Sequence, residues 1–140
     1  MNRLDSLEPE FRATVAELIT RLQPMTGRVW TLSDGRRTLA QQAILYAQGR
    51  STPGKVVTLA LPGASAHNYG LAADLWPMTP GGDYDWSAPD KLFRAMADQA
   101  QQLGLVAGYY FKSIHDSPHV EAKNWREKQA AWKAGNLKLL

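Results

Sequence analysis

Leu4, Leu7, Phe11, Val15, Leu18, Ile19 and Leu22 recur at spacings of three and four. That period matches one face of an α-helix, so the chain is predicted to open with an amphipathic helix. Pro9 suits a first helical turn, and Pro24 is expected to stop the helix near Gln23. Val29 to Leu32 then read as a short strand and Ser33-Asp34-Gly35 as a turn. Thr38 and Gln41 have the spacing of a capping box and open a second helix, which runs through Ile44 and Leu45 to Gly49. After an irregular stretch from Arg50 to Lys55, Val56 to Leu59 and Leu71 to Trp76 read as strands. A loop rich in Pro, Gly and Asp follows from Pro77 to Trp86. Ser87 and Asp90 repeat the capping-box spacing before a helix that carries Leu92, Phe93, Met96, Ala100 and Leu103 to a stop at Gly104. Leu105 to Phe111 and Pro118 to Ala122 look extended. A last amphipathic helix follows Asn124, with Trp125 and Trp132 seven residues apart on one face. Tyr46, Trp76, Trp86 and Trp125 are expected in the core more than at a substrate surface.

Helices thus mix with short strands whose connections are too tight for regular βαβ units, which predicts an α+β domain. With 140 residues and no repeat or linker, one domain over 1–140 is expected. The composition, 44% hydrophobic and 21% charged, excludes a disordered tail or a coiled coil. No run approaches the roughly 18 apolar residues of a membrane helix, so no membrane span is expected. No apolar stretch follows Met1-Asn2-Arg3-Leu4-Asp5, so no signal peptide is expected. The absence of cysteine excludes a disulfide scaffold and thiolate zinc sites. Any metal would be held by His, Asp or Glu. Sixteen basic residues against thirteen acidic ones give a net charge of +3, but the positives are scattered. Without a clustered basic stripe, no nucleic-acid partner is expected. The mild basicity either helps approach to an anionic polymer such as a cell wall or is only a surface with a few extra cations.

The three histidines sit in short segments rich in carboxylates. His67 lies in Ser65-Ala66-His67-Asn68-Tyr69-Gly70-Leu71-Ala72-Ala73-Asp74, and the others in His115-Asp116-Ser117-Pro118-His119-Val120-Glu121. A catalytic zinc takes three His or carboxylate ligands and keeps one position for water. His67, Asp74 and His119 can supply that set and would leave the site with one net positive charge. Gly70 would let the backbone turn sharply, so that His67 and Asp74 face one point. Pro118 favours extended backbone at Ser117, which makes His119 and Glu121 neighbours on one strand face. Asp116, three residues before His119, is placed to move a proton without binding the metal. Arg37, at the opening of a helix, could bind a substrate carboxylate or a developing oxyanion. Spacing alone leaves other readings open. A lone loop histidine is usually a polar surface residue, and Asp74 or Asp116 could be a cap. Glu121 could be a rim charge, an orienter of a ligand or an ion-pair partner. His115 has no clear partner, and at least one of Arg36 and Arg37 is expected only to face solvent.

Ser65-x-His67-x-x-Gly70-x-Ala72-x-Asp74 followed by Asp116-x-x-His119 resembles the zinc peptidases of bacterial cell-wall peptides. That family includes VanY-like D-Ala-D-Ala carboxypeptidases, D-Ala-D-Ala dipeptidases and phage L-alanyl-D-glutamate endopeptidases. Gly35-Arg36-Arg37-Thr38, with Gln42 and Leu45 to Arg50, is similar to the family's Gly-Tyr-Arg-Ser helix opening, with Arg36 where an aromatic is usual. Pro53 to Thr58 is similar to the segment before its first ligand. Val106-Ala107-Gly108-Tyr109-Tyr110 departs from a Trp-Gly-Gly-Asp-like stretch. The resemblance implies Zn2+ on His67, Asp74 and His119, Asp116 as acid/base, Arg37 as the substrate-binding arginine and Ser65 near the substrate. It implies a hedgehog/D-Ala-D-Ala peptidase-like fold, a small antiparallel sheet with helices packed on it. The expected activity is hydrolysis of the peptidoglycan stem peptide by a monomer, foremost at the L-Ala–D-Glu bond as in phage endolysins. A D-Ala-D-Ala carboxypeptidase or dipeptidase, or a non-catalytic wall-binding module of this fold, is the alternative. The expected location is the host cytoplasm before release to the wall, or the virion.

Overall fold

A computed structural model describes residues 3–140. The N-terminal stripe forms helix α1 (Pro9–Thr26), preceded by a separate 3-10 turn over Arg3–Ser6. Phe11, Val15, Leu18 and Leu22 are its buried face. Pro24 lies inside α1 and does not end it. A proline in the last turn removes only one backbone bond near an already open end. The stop comes at Gly27, whose backbone is left-handed and whose N–H donates to the Gln23 carbonyl at 2.9 Å.

Helix α2 (Leu39–Ala47) opens with the predicted reciprocal cap. The Thr38 hydroxyl accepts from the Gln41 N–H, and the Gln41 side chain accepts from the Thr38 N–H. The helix ends at Ala47, before Gly49, and buries only Gln42. Helix α3 (Asp90–Gln102) buries Leu92, Phe93, Met96 and Ala100 as predicted. Its expected Ser87–Asp90 cap does not form. Pro89 supplies the extended residue before the helix, and the Ser87 N–H donates to the Asp85 carboxylate instead. Helix α4 (Trp125–Lys133) follows Asn124. No helix among the described residues is long and apolar enough to cross a membrane.

Four strands, β1 (Trp30–Asp34), β2 (Ala72–Pro77), β3 (Leu105–Ala107) and β4 (His119–Ala122), form one antiparallel sheet ordered β1-β2-β4-β3. The α+β class read from the sequence is therefore the fold observed. The predicted strand at Val56 to Leu59 is not one. Its Val56, Val57 and Leu59 are largely exposed, and its backbone is held by side chains instead of a ladder. The buried Gln42 amide donates to the Ala60 carbonyl at 2.8 Å, and Arg50 to the Thr58 carbonyl at 3.1 Å. The extended stretch predicted from Leu105 to Phe111 is a strand only to Ala107, after which a 3-10 turn runs over Gly108–Tyr110.

Ala73, Leu75 and Val120 are fully buried and join Phe11, Val15, Leu18, Phe93 and Met96 in the core. Their strand neighbours Asp74, His119 and Glu121 alternate with them and so project from the other face of the sheet. Of the aromatic residues expected in the core, only Trp125 is buried. Trp76 and Tyr46 are half-buried, the latter beneath the Arg50 guanidinium, and Trp86 is exposed.

Candidate metal centre

The register of the sheet assembles the site. Asp74 on β2 pairs directly with His119 on β4, and with Asp34 on β1 after a bulge. Side chains at paired positions share a face about 5 Å apart, so Asp74 and His119 meet without any loop having to place them. His67 arrives from a 3-10 turn (Ala66–Tyr69), where the Ser65 hydroxyl accepts from the His67 N–H. Gly70 then adopts φ +69°, and the chain turns into β2. A Cβ on Gly70 would lie 2.4 Å from the Arg36 guanidinium and 3.0 Å from the Glu8 nitrogen. Gly70→Ala is therefore expected to cost about 2 kcal/mol or more, from left-handed strain plus the clash. Urea unfolding measures this, and an unchanged midpoint would contradict it.

The donor atoms converge. The Asp74 Oδ1 lies 3.2 Å from His119 Nδ1 and 3.5 Å from His67 Nε2. One ligand atom from each of the three residues lies within 4.8 Å of the others, and both imidazoles are buried. Second partners fix the ring orientations. His67 Nδ1 is 2.7 Å from the Gly35 carbonyl, which can only accept, so Nδ1 carries a proton and Nε2 is the nitrogen that faces Asp74. His119 Nε2 donates to Glu121 at 2.7 Å, leaving Nδ1 toward Asp74. The other Glu121 oxygen accepts the Trp125 indole N–H at 2.7 Å. Glu121 thus holds the His119 ring from its outer nitrogen, as an orienting and an ion-pair partner.

The electrostatics match that geometry. Burial opposes charge on Asp74, but hydrogen bonds from His119 and His67, with their charges, hold its carboxyl far below the usual range. Burial likewise disfavours a charged His119, yet hydrogen bonds to Asp74 and Glu121 push it up to about 10. The same three donor atoms could coordinate a divalent cation. Two imidazole nitrogens and one carboxylate oxygen are a donor set that suits zinc.

Asp116 lies beside this cluster, its Oδ2 3.7 Å from His119 Nδ1. The sequence predicts an extended segment beginning at Pro118. In fact Ser117 and Pro118 form a turn closed by the His119 N–H on the Asp116 carbonyl at 3.2 Å. That turn brings the Asp116 carboxylate back over His119. It packs against Gly108, where a Cβ would lie 2.5 Å from the Asp116 carbonyl oxygen. Burial pushes the Asp116 carboxyl up, against the charges of His119, His67 and Arg37.

Arg37 and Ser65 line the same cleft. Arg37 donates to Gln42 at 2.7 Å and pairs with Asp34, which leaves guanidinium N–H groups for a ligand. Arg36 is not merely solvent-facing; its Nε donates to the Ser6 carbonyl at 2.8 Å. His115 is exposed and meets Ser117 and the Tyr109 ring. Gly35, Asp34, Gln42 and Trp125 had no assigned part in the site from sequence. Gly35 acts through a backbone carbonyl 32 positions from His67, which no motif encodes, whereas Asp34, Gln42 and Trp125 lie three to five residues from their partners Arg37 and Glu121.

Comparison with known proteins agrees with this fold. Residues 60–122, which contain His67, Asp74 and His119, match the family described as D-alanyl-D-alanine carboxypeptidase. Over 101 residues it is 35% identical to the peptidoglycan L-alanyl-D-glutamate endopeptidase CwlK of Bacillus subtilis. The match takes in 64% of this chain, which spans 58% of that protein's length. The crystal structure of the Serratia marcescens L-Ala D-Glu endopeptidase ChiX superposes with a TM-score of 0.58 at 20% identity, over 91% of this chain and 87% of that one. A variant of the D,D-pentapeptidase VanY from a VanB-type resistance cassette, solved with Zn(II), superposes with a TM-score of 0.61 at 14% identity, over 92% and 79%. At these identities the two structures establish the shared fold.

Proposed function

We propose that the chain is a zinc peptidase that hydrolyses the peptidoglycan stem peptide, at the bond between L-Ala and D-Glu. The observation that carries this reading is the convergence of His67 Nε2, Asp74 Oδ1 and His119 Nδ1 in one cleft, with the Asp116 carboxylate beside them. His67, Asp74 and His119 would hold the ion. When bound, it supplies Lewis-acid polarisation of a carbonyl and acidification of water. Asp116 takes a proton from the attacking water on its carboxylate and returns it to the leaving amine. Burial raises its proton affinity above that of an exposed aspartate, which favours the return step. Arg37, held by Asp34 and Gln42, presents its remaining N–H groups to the oxyanion or to a substrate carboxylate. Ser65 lines the substrate side of the cleft.

The choice of bond is supported by the relative that shares 35% identity, whose name gives an L-alanyl-D-glutamate endopeptidase. The description of the matched family favours a D-Ala-D-Ala carboxypeptidase as the second reading. Digestion of purified peptidoglycan by the zinc-loaded protein, with a chelated control, separates them. New N-terminal D-Glu with L-Ala left on muramic acid is the expected product. Release of terminal D-Ala alone would select the carboxypeptidase. No product in either sample would favour a non-catalytic binding module.

Glu121→Gln should weaken zinc binding by about 10- to 100-fold, because the His119 ring loses the carboxylate that fixes its tautomer. A competition titration against a chromogenic chelator measures this. Affinity equal to the parent protein would show that Glu121 does not orient His119.

A further inference from the structure

The cleft around the ligand cluster does not end at Asp116. Asp116, Glu121 and Trp125 line both this cleft and a second hollow that continues it, so the two form one trough. In the second half the walls are Leu59, Phe111 and Ile114, and Arg126 stands among them. Leu59 and Ile114 are 62% and 44% exposed, apolar surface with nothing packed on it.

Two arginines line the trough, and they differ in one respect. Arg37 is already paired with Asp34. Arg126 has no ion pair among the described residues. Its guanidinium lies 4.5 Å from the centre of the Trp125 ring. That ring is itself fixed, since its N–H is held by Glu121, which holds His119. Stacking on an immobile indole orders a long side chain in advance and leaves the edge N–H groups of its planar fork free for a carboxylate.

The direction of the substrate follows from Asp116. The leaving amine must reach this carboxylate to collect its proton, so the chain beyond that amine continues into the half that holds Arg126. If the bond cleaved is L-Ala–D-Glu, the residue carrying the leaving nitrogen is a D-Glu joined onward through its γ-carboxyl. Its α-carboxylate is then free and adjacent to that nitrogen.

We propose that Arg126 is a specificity residue that receives this free carboxylate, while Leu59, Phe111 and Ile114 cover the aliphatic part of the chain. The inference rests on the function proposed above. It predicts discrimination between stem peptides with a free and with an amidated D-Glu carboxylate.

The test uses two stem peptides that differ only there, with the zinc-loaded protein. The parent is expected to show the lower KM for the free acid. Arg126→Met keeps an apolar stem over Trp125 and removes the charge. It should narrow the preference by about tenfold or more, the scale of one charge-assisted hydrogen-bonded pair, with the change in KM and not kcat. Arg126→Lys, which keeps charge but not the fork, should recover part of the preference. Calorimetric titration of zinc-loaded Asp116→Ala protein with each peptide, with and without Arg126→Met, should give the same pattern in Kd without turnover. An equal loss on both peptides, or no loss on either, would overturn the assignment. So would a drop in zinc content or melting temperature in Arg126→Met, which would make the arginine a support for Trp125. Should the parent cleave both peptides alike, the Arg126 assignment fails and the peptidase reading stands. If it neither cleaves nor binds either peptide, the peptidase reading itself fails.

Discussion

Asp116→Ala protein is expected to load zinc like the parent and to hydrolyse no stem peptide. The two outcomes separate because Asp116 stands next to the ligands but supplies none. Its Oδ2 is 3.7 Å from His119 Nδ1, while Asp74 Oδ1 is closer to both imidazoles. Removing Asp116 leaves the three donors and both of their orienting partners, the Gly35 carbonyl and Glu121, in place. What disappears is the group that carries the proton from water to the leaving amine, a contribution of about a hundred- to ten-thousand-fold in rate. Zinc content by mass spectrometry and release of D-Glu N-termini measure the two separately. Loss of the metal in this variant would sink the assignment of roles, because Asp116 would then be a ligand. Residual activity near that of the parent would remove it from the reaction altogether.

His67→Ala should lose metal and activity together. This loss is expected to exceed the about 10- to 100-fold that removing an orienting partner costs, because a coordinating atom itself disappears. His67 is buried, its Nδ1 bonded to Gly35 and its Nε2 directed at Asp74. Alanine there also leaves the Gly35 carbonyl without its imidazole partner, so a moderate loss of stability accompanies the loss of zinc. Circular dichroism distinguishes a folded, metal-free protein from an unfolded one. A folded His67→Ala protein that binds zinc as tightly as the parent would show that the cluster is not the metal site.

Some of this site could be read directly from local sequence. The Thr38–Gln41 cap, the apolar stripe of α1 and the helical face of α3 each depend on neighbours within four residues, and each forms as read. His67, Gly70 and Asp74 likewise lie within one turn and one strand, so their spacing already confines them. Where the local reading failed, a longer-range partner decided. Val56 to Leu59 has the composition of a strand but joins no sheet, and Arg50 and Gln42 donate to the Thr58 and Ala60 carbonyls instead. Pro24 would end a helix in isolation, yet α1 continues to a glycine cap because its buried stripe packs through Leu22.

The sequence by itself thus determined the residue types of the centre, the absence of thiolate ligands, and the strand alternation that sends Val120 inward and His119 and Glu121 outward. Only the tertiary structure decided that Asp74 stands opposite His119, because strand register is set by the packing of Ala73, Leu75 and Val120 into the core. It also decided that the Gly35 carbonyl meets the His67 imidazole. Those relations join residues about 30 to 50 positions apart, so no local pattern carries them.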